Sequence, residues 1–236
     1  MATQTAGSAE PGEGSVDAAA LTEWLRAVAA SIAEHATELT DLDAAIGDAD
    51  HGSNLDRGMS ALVGVLDESH PETGDSTVDA LLKSAAMTLI STVGGASGAL
   101  YGTLFLRMAA AAGPVNALDA KGFAAALRAG VDGVVARGKA ELQDKTMLDA
   151  LIPACDALDA ALAAGGSLAD GLQAAAAAAA AGRDATVPLV ARKGRASYLG
   201  ERSAGHQDPG ATSATLIVEA AAATLGGPPS AGPGGG

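Results

Sequence analysis

The chain has 236 residues, enough for one domain with a sizeable core, and a net charge of −14 from 14 Lys and Arg against 28 Asp and Glu. This acidity argues against nucleic-acid binding, which rewards clustered cations, and Cys155, the one cysteine, excludes an internal disulfide. No basic-then-apolar leader and no membrane-spanning apolar run is present, so we expect a soluble cytoplasmic protein without membrane association.

Aromatic residues make up 2% of the chain and alanine is abundant, so closely approaching helices must fill the core. No segment shows sustained strand-like alternation, and the predicted fold class is all-α. Eight helices are predicted, with bounds near 16–39, 54–69, 76–92, 97–112, 119–137, 145–164, 168–191 and 210–225. Mostly short connections predict a single antiparallel bundle over 16–225. The segment 1–15 and the Gly/Pro-rich tail 226–236 are predicted to be disordered.

The stretch "IGDADHGSN" at 46–54 lies in the first long connection and contains Asp48 and Asp50. Its glycines interrupt helix, so these carboxylates, two residues apart, are expected on one side of an extended or turning segment. Asp43, from the end of the preceding helix, would complete three hard oxygen donors that suit Mg²⁺ or Ca²⁺. The calcium-loop pattern fails, because Met59 stands where a glutamate is needed. A solvated acidic turn is the alternative interpretation.

Two glycine-containing stretches partly match nucleotide-binding motifs. "VGGASGALYG" at 93–102 opens a predicted helix, whose unshielded N–H groups could receive a phosphate, although close helix packing explains the small residues equally well. It lacks the G-x-G-x-x-G spacing and a preceding strand, which argues against a Rossmann site. "GVVARGKA" at 133–140 resembles a phosphate loop, but Ala140 replaces the required Ser or Thr, so a Walker site is rejected.

The segment 191–213 concentrates cations in an acidic protein, which indicates an anion site or a docking surface. Four cations lie within eleven residues, at Arg192, Lys193, Arg195 and Arg202. The alternative is a solvated loop, balanced by Glu201 and Asp208. The following "DPG" is typical of a helix start, with Asp208 as the cap and Pro209 in the first turn.

A hydrolase is the competing functional class for this sequence. Ser203 lies in "GERSAG", but Glu201 replaces the first glycine of G-x-S-x-G and no strand leads into it. His51 and His206 lie in the acidic and basic segments and are candidate functional histidines. A Ser-His-Asp triad therefore has no positive support.

The chain resembles the nucleotide-binding L subunit of bacterial dihydroxyacetone kinases, and the matching domain of one-chain dihydroxyacetone kinases, in four stretches. These are "DLDAAIGDADHGSNLDRGM", "VGGASGALYGTLF", "RGKAELQDKTMLDAL" and "ARKGRASYLGERSAGHQDPGATS". They follow the family's order from about residue 41 to 213. The resemblance implies an all-α barrel of eight antiparallel helices, with the nucleotide bound among the loops at one end.

By motif position, the resemblance implies that Asp43, Asp48 and Asp50 hold two Mg²⁺ ions against the phosphates of ADP or ATP. The residues implied to contact the nucleotide are His51, Gly52, Ser53, Asn54, Ala96, Ser97, Gly138, Met147, Arg195, Asp208, Pro209 and Gly210. Arg195 and the three carboxylates are implied to be catalytic, since phosphoryl transfer depends on positioning and on neutralised charge. Two departures stand out: Ser53 replaces a commonly apolar or small residue, and "LQDKTM" lacks the glycine often found before the aspartate.

The resemblance further implies phosphoryl transfer to dihydroxyacetone, which the family holds covalently through a histidine of a K subunit or domain. We expect this chain to need such a K-type partner; a homodimer is an open alternative for its assembly. The donor is either exchangeable ATP, or retained ADP that a phosphotransferase-system M subunit rephosphorylates. The alternative functions are a same-family subunit for another short ketose or a carrier-bound fatty acid, and a non-catalytic helical scaffold.

Overall fold

The computed structural model describes residues 14–71 and 76–226, and within these ranges it contains nine α-helices and one 3-10 helix. The α-helices are α1 (Ala18–Glu34), α2 (Ala36–Ile46), α3 (His51–Ser69), α4 (Val78–Thr92), α5 (Gly95–Ala112), α6 (Ala120–Gly138), α7 (Leu148–Ala163), α8 (Leu168–Ala185) and α9 (Pro209–Thr224). The 3-10 helix (Arg195–Ser203) lies between α8 and α9 and is kinked at Gly200, whose φ of 55° and ψ of −131° are non-helical. The predicted all-α fold class is confirmed.

The remaining regular structure of the described ranges is one short antiparallel pair. Strand β1 (Val16–Asp17) pairs with β2 (Ala117–Leu118), and Val16 lies opposite Leu118. None of the helices in the described ranges has the length and apolarity needed to cross a membrane. The predicted disordered ends lie outside the described residues, except for residues 14, 15 and 226.

Seven of the eight predicted helices correspond to α3 through α9, but the first one is divided in the structure. α1 ends at Glu34, His35 adopts a non-helical φ of −98° and ψ of 9°, and α2 continues to Ile46. The predicted connection 40–53 is therefore mostly helix. Leu39 and Ile46, seven residues apart, bury the same face of α2, which explains why the helix persists through an aspartate-rich segment.

α8 is shorter than predicted, because it ends at Ala185 and not near residue 191. Pro188 follows three residues later, and a proline disfavours helical conformation in the residue before it and cannot donate a backbone hydrogen bond. The Thr186 hydroxyl closes the end by donating to the Arg183 carbonyl at 2.6 Å. The 3-10 helix follows further along the chain, in a segment predicted to be a loop.

The core is built around α9, which is buried over most of its length and packs against α1, α7 and α8. A helix that is apolar all round is stable only inside such a bundle. Trp24 of α1 fixes this arrangement, because its indole N–H donates to the Ile217 carbonyl of α9 at 3.1 Å. The indole ring also lies 5.8 Å from Phe105 and 5.9 Å from Phe123, measured between centroids.

The antiparallel arrangement brings the starts of α3, α5, α7 and α9 to one end of the bundle. A Cβ on Gly94, before α5, would lie 2.8 Å from Asn54 Oδ1 of α3. A Cβ on Gly210, in α9, would lie 3.4 Å from the Met147 nitrogen before α7. Helix starts carry unpaired N–H groups and a partial positive charge, so this end of the bundle favours anions.

Replacing Gly182 by alanine tests the close packing of α7 on α8. A Cβ at Gly182 would lie 1.9 Å from the Asp149 carbonyl oxygen, so the Gly182→Ala change must separate the helices and should lower the free energy of unfolding by about 1–3 kcal/mol. Gly64→Ala is the control, because that exposed glycine of α3 has nothing within 4 Å and should gain about 0.5–1 kcal/mol. Urea denaturation measures both values, and equal stability of the two variants would contradict the packing.

Candidate functional site

The acidic residues converge at the turn between α2 and α3. One carboxylate oxygen each from Asp43, Asp48 and Asp50 lie within 4.8 Å of one another. Asp43 is 8% exposed, and its Oδ2 accepts hydrogen bonds from the backbone nitrogens of Asp50 at 2.8 Å and His51 at 3.2 Å. The structure therefore brings together the three carboxylates that the sequence grouped, and Asp43 lies near the end of a helix as expected. Their binding of a metal stays a prediction.

The backbone of this turn is shaped around the Asp43 carboxylate. Gly47 ends α2, and a Cβ there would lie 2.0 Å from Asp43 Oδ1, so no larger residue fits without moving the carboxylate. Ala49 has a left-handed φ of +62°, which is unusual for a residue with a side chain. The backbone of this turn thus adopts an unfavourable conformation at Ala49, and the position of the Asp43 carboxylate is fixed.

The charge of the three carboxylates is largely uncompensated within the described part of the chain. Arg195 is the described cation that pairs with them, through its Nε at 2.9 Å from Asp48 Oδ2. Its side chain is 66% exposed, and an exposed pair of this kind contributes little binding energy in water. Three convergent hard oxygen donors with one exposed cation match the preference of Mg²⁺ or Ca²⁺, and they lack the nitrogen and sulfur ligands typical of zinc sites.

His51 joins three helix starts through a partly buried hydrogen-bond network. Its Nδ1 lies 3.1 Å from Ser97 Oγ of α5, and its Nε2 lies 2.9 Å from Ser213 Oγ of α9. The Ser213 hydroxyl also lies 2.6 Å from the Tyr101 hydroxyl. Burial lowers the pKa of His51 below its ordinary value although Asp43 and Asp50 act in the opposite direction, so the ring is neutral and one nitrogen donates while the other accepts.

Other predicted nucleotide residues of α3 have structural contacts of their own. A Cβ on Gly52 would lie 2.0 Å from the Ala36 carbonyl, so this glycine permits α3 to pack on α2. Asn54 is buried, and its Oδ1 accepts from Arg57 Nη2 at 2.6 Å. Ser53, the first of the two departures from the family pattern, is exposed, and its hydroxyl donates to the Asp50 carbonyl at 3.0 Å.

The remaining predicted residues lie around the same end of the bundle. Ala96 and Ser97 are in the first turn of α5, Gly138 ends α6, and Met147 directly precedes α7. Pro209 and Gly210 form the first turn of α9, and Asp208 caps it as expected, accepting from the Ala211 nitrogen at 2.7 Å. Burial raises the pKa of Asp208 to about 7, and the neighbouring Asp149 adds to the rise.

Lys145 was missed by the sequence analysis, although it organises the loops of this end. It is 1% exposed, and its ammonium donates to the carbonyls of Thr186, Leu189, Ser203 and His206. The Lys145 side chain therefore connects the loop before α7 to the segment between α8 and α9. Burial lowers the pKa of Lys145, with Asp208 opposing the shift. A lysine beside an aspartate in a polar loop gives no sequence signal of burial.

The missing glycine of "LQDKTM" has a clear conformational consequence. Gln143, which stands directly before Asp144, adopts a left-handed φ of +70° that glycine takes without strain. The loop keeps this conformation because Asp149 accepts hydrogen bonds from the backbone nitrogens of Gln143 and, at 2.7 Å, Thr146. The departure thus changes the strain of the loop and leaves its hydrogen bonding in place.

Gln143→Gly should therefore stabilise the chain. Relief of the left-handed strain gives about 1–2 kcal/mol, and the extra freedom of glycine in the unfolded chain costs about 0.5–1 kcal/mol, so a net gain of about 0.5–1 kcal/mol is expected. Gln143→Ala is the control, since it keeps the Cβ and the strain and removes only an exposed side chain. Thermal and urea unfolding would contradict the interpretation if both variants gained equally.

Comparisons with known proteins agree on one family. Residues 45–223 match the DAK2 domain family. The chain is 43% identical to the ADP-binding subunit DhaL of the PEP-dependent dihydroxyacetone kinase of Escherichia coli, over 84% of this chain and 93% of that protein. It is 40% identical to the ADP-binding subunit DhaL of the PTS-dependent dihydroxyacetone kinase of Lactococcus lactis, over 84% of this chain and 92% of that protein.

A solved structure shows the same fold. The crystal structure of the C. freundii dihydroxyacetone kinase in complex with AMP-PNP and Mg²⁺ matches with a TM-score of 0.67 and 25% identity, covering 94% of this chain and 37% of that kinase. The chain thus spans well under half of the kinase whose fold it shares. On these matches and on the helical barrel with its acidic turn, the chain belongs to the DAK2-domain family of DhaL-type dihydroxyacetone kinase subunits.

Proposed function

We propose that the chain is the nucleotide-binding subunit of a dihydroxyacetone kinase. The observation that carries this proposal is the convergence of Asp43, Asp48 and Asp50 within 4.8 Å at the end of the bundle where four helices begin. Negative carboxylates beside positive helix starts can together bind a metal–nucleotide complex, which contains a cation and anionic phosphates. The metal would bind the carboxylates, and the phosphates would bind the metal and the helix starts.

The hard oxygen donors of the three carboxylates suit Mg²⁺, and we propose that they hold two such ions. When bound, the metal neutralises negative charge that develops on phosphate oxygens during transfer. The chain's own part is positional: backbone nitrogens of Asp50 and His51 fix Asp43, and the His51 network holds the starts of α3, α5 and α9 together. Catalysis of phosphoryl transfer depends chiefly on such positioning and on charge neutralisation.

Arg195 and the helix starts are proposed to contact the phosphates. Arg195 already lies at the edge of the acidic turn through Asp48, and its exposed guanidinium can reach an anion bound there. The predicted contacts Ala96, Ser97 and Gly210 are small residues in first turns, where the backbone approaches a ligand closely. Gly138 and Met147 flank the loop that Lys145 anchors.

The acceptor is proposed to be dihydroxyacetone carried by a separate K-type subunit. Relatives at 40–43% identity are named as subunits of dihydroxyacetone kinases, and the matched C. freundii kinase is a much longer chain. A second candidate is another short ketose, because relatives at 36% and 35% identity are named L-erythrulose kinase and D-erythrulose kinase. The groups that select between these acceptors are proposed to lie on the partner that carries the acceptor.

The donor is proposed to be ADP that stays bound and is rephosphorylated in place by an M-type phosphotransferase subunit. The PEP- or PTS-dependent relatives, named for an ADP-binding subunit, are 38–43% identical over most of their length. In contrast, the AMP-PNP complex comes from a kinase at 25% identity. These names support retained ADP over an exchangeable ATP.

Magnesium-dependent ADP binding tests the site. After bound nucleotide and metal have been removed with a chelator, the wild type should bind ADP in calorimetry when Mg²⁺ is returned, and should not bind it while the chelator is present. Asp48→Asn combined with Asp50→Asn should weaken the magnesium-dependent affinity by about 100-fold, because two of the three charged ligands are lost. Asp41→Asn is the matched control, an exposed aspartate of α2 outside the converging set. Unchanged binding by the double variant would refute the assignment.

The donor route has a separate test. The purified chain is gel-filtered without added nucleotide, denatured, and its supernatant is analysed by chromatography. Retained ADP predicts a nearly stoichiometric release of ADP, and slow exchange with labelled ADP before denaturation. An empty site with exchange within seconds would contradict the retained-cofactor route and support ATP as an ordinary substrate.

A further inference from the structure

Tyr198 is the most exposed large apolar or aromatic side chain in the described part of the protein, at 88%. Water contact with a whole aromatic ring brings no stability to the isolated chain. Tyrosine and arginine are, with tryptophan, enriched among the side chains that dominate protein–protein binding. An aromatic ring displayed in this way therefore points to a partner that covers it.

The 3-10 helix presents Tyr198 from a fixed support. On its inner side Ala196 packs with Ile46 of α2 and with Ala191, and Leu199 packs against the same cluster. Its last residue, Ser203, is buried, and its carbonyl accepts from the Lys145 ammonium at 2.7 Å. A contact residue that is already held in place loses less conformational entropy when a partner binds.

Tyr198 lies near a residue that contacts the acidic turn. In a 3-10 helix, side chains three residues apart lie above one another, so Tyr198 shares a face with Arg195. Arg195 Nε lies 2.9 Å from Asp48 Oδ2, and Ile46 beneath the helix is three residues from Asp43. A protein that covers Tyr198 is therefore brought to the rim of the proposed metal–nucleotide site.

The charge around Tyr198 is opposite to that of the whole chain. Arg192, Lys193 and Arg202 lie within six residues of it and are exposed, and no ion pair joins them to a carboxylate in the described ranges. The chain as a whole carries −14. An acidic partner is therefore repelled by most of the protein and attracted here, which selects one docking orientation.

We propose that Tyr198, with Arg192, Lys193 and Arg202, forms the surface on which the acceptor-carrying partner docks, through an acidic patch of that partner. This inference rests on the proposed function, because phosphoryl transfer to an acceptor on another protein requires that protein to reach the acidic turn. We call these four residues the Tyr198 surface. Its ring supplies the apolar contact, and its cations supply orientation and rate of association.

The test measures binding of the K-type kinase subunit to this chain loaded with Mg²⁺ and ADP. Tyr198→Ala should weaken the Kd by about tenfold or more and raise the KM for the K-type subunit, while the affinity for magnesium and ADP stays at the wild-type value. Tyr198→Phe should keep most of the binding, since the ring remains. Met87→Ala is the matched control, an exposed apolar residue of α4 that should change nothing.

The cations are tested by charge reversal. Lys193→Glu combined with Arg202→Glu should slow association of the K-type subunit about tenfold at low ionic strength, and the difference from wild type should shrink as salt is added. Wild-type binding and kinetics in Tyr198→Ala and in the charge-reversed variant would overturn this inference alone. So would a Tyr198→Ala variant that only dissociates a dimer of this chain, or that weakens ADP binding.

A wild-type chain that bound magnesium and ADP but never the K-type subunit would overturn both this inference and the acceptor assignment of the proposed function. Binding of the M-type subunit, measured in parallel, identifies which partner uses the surface. Loss of M-type binding in Tyr198→Ala with K-type binding intact would also refute the inference.

Discussion

The central constraint of this structure is the mutual repulsion of three carboxylates held within 4.8 Å of one another. The short distance between these like charges raises the energy of the folded chain, and the exposed Arg195 relieves little of this repulsion. The fold nevertheless enforces the arrangement, through two backbone hydrogen bonds to Asp43 and through Gly47, which leaves room for its carboxylate. Local strain kept at this cost is typical of a functional site, and we propose that a divalent cation bound here converts the repulsion into binding energy.

The bundle is arranged so that this turn is surrounded by helix starts and by buried polar contacts. His51 connects α3 with α5 and α9, and Lys145 connects the loop before α7 with the segment between α8 and α9. Lys145 is buried, His51 is half-buried, and both are hydrogen-bonded on several sides, so each couples loops that are distant in sequence. The connections of one end therefore behave as a single support, on which the acidic turn and Tyr198 keep their relative positions.

The all-α class and the grouping of the three aspartates could be predicted from the sequence, because both follow from periodicity and local spacing. The break at His35 could not, since it involves neither proline nor glycine, and the 3-10 helix depends on packing against Ile46. The burial of Lys145 could not be predicted for a similar reason, because the four carbonyls that accept from its ammonium belong to a segment more than forty residues away. Tertiary contacts, which no local pattern records, decided the 3-10 helix and the burial of Lys145.

The proposed metal–nucleotide site is tested most directly by locating the metal in crystals of the chain grown with ADP and Mn²⁺, a redox-stable substitute for Mg²⁺ with an anomalous X-ray signal. We expect anomalous peaks bonded to oxygens of Asp43, Asp48 and Asp50, with the ADP phosphates on the far side of the metal and next to the starts of α5 and α9. Anomalous peaks elsewhere on the chain, or ADP bound away from this turn with the three carboxylates free of metal, would contradict the assignment of this site.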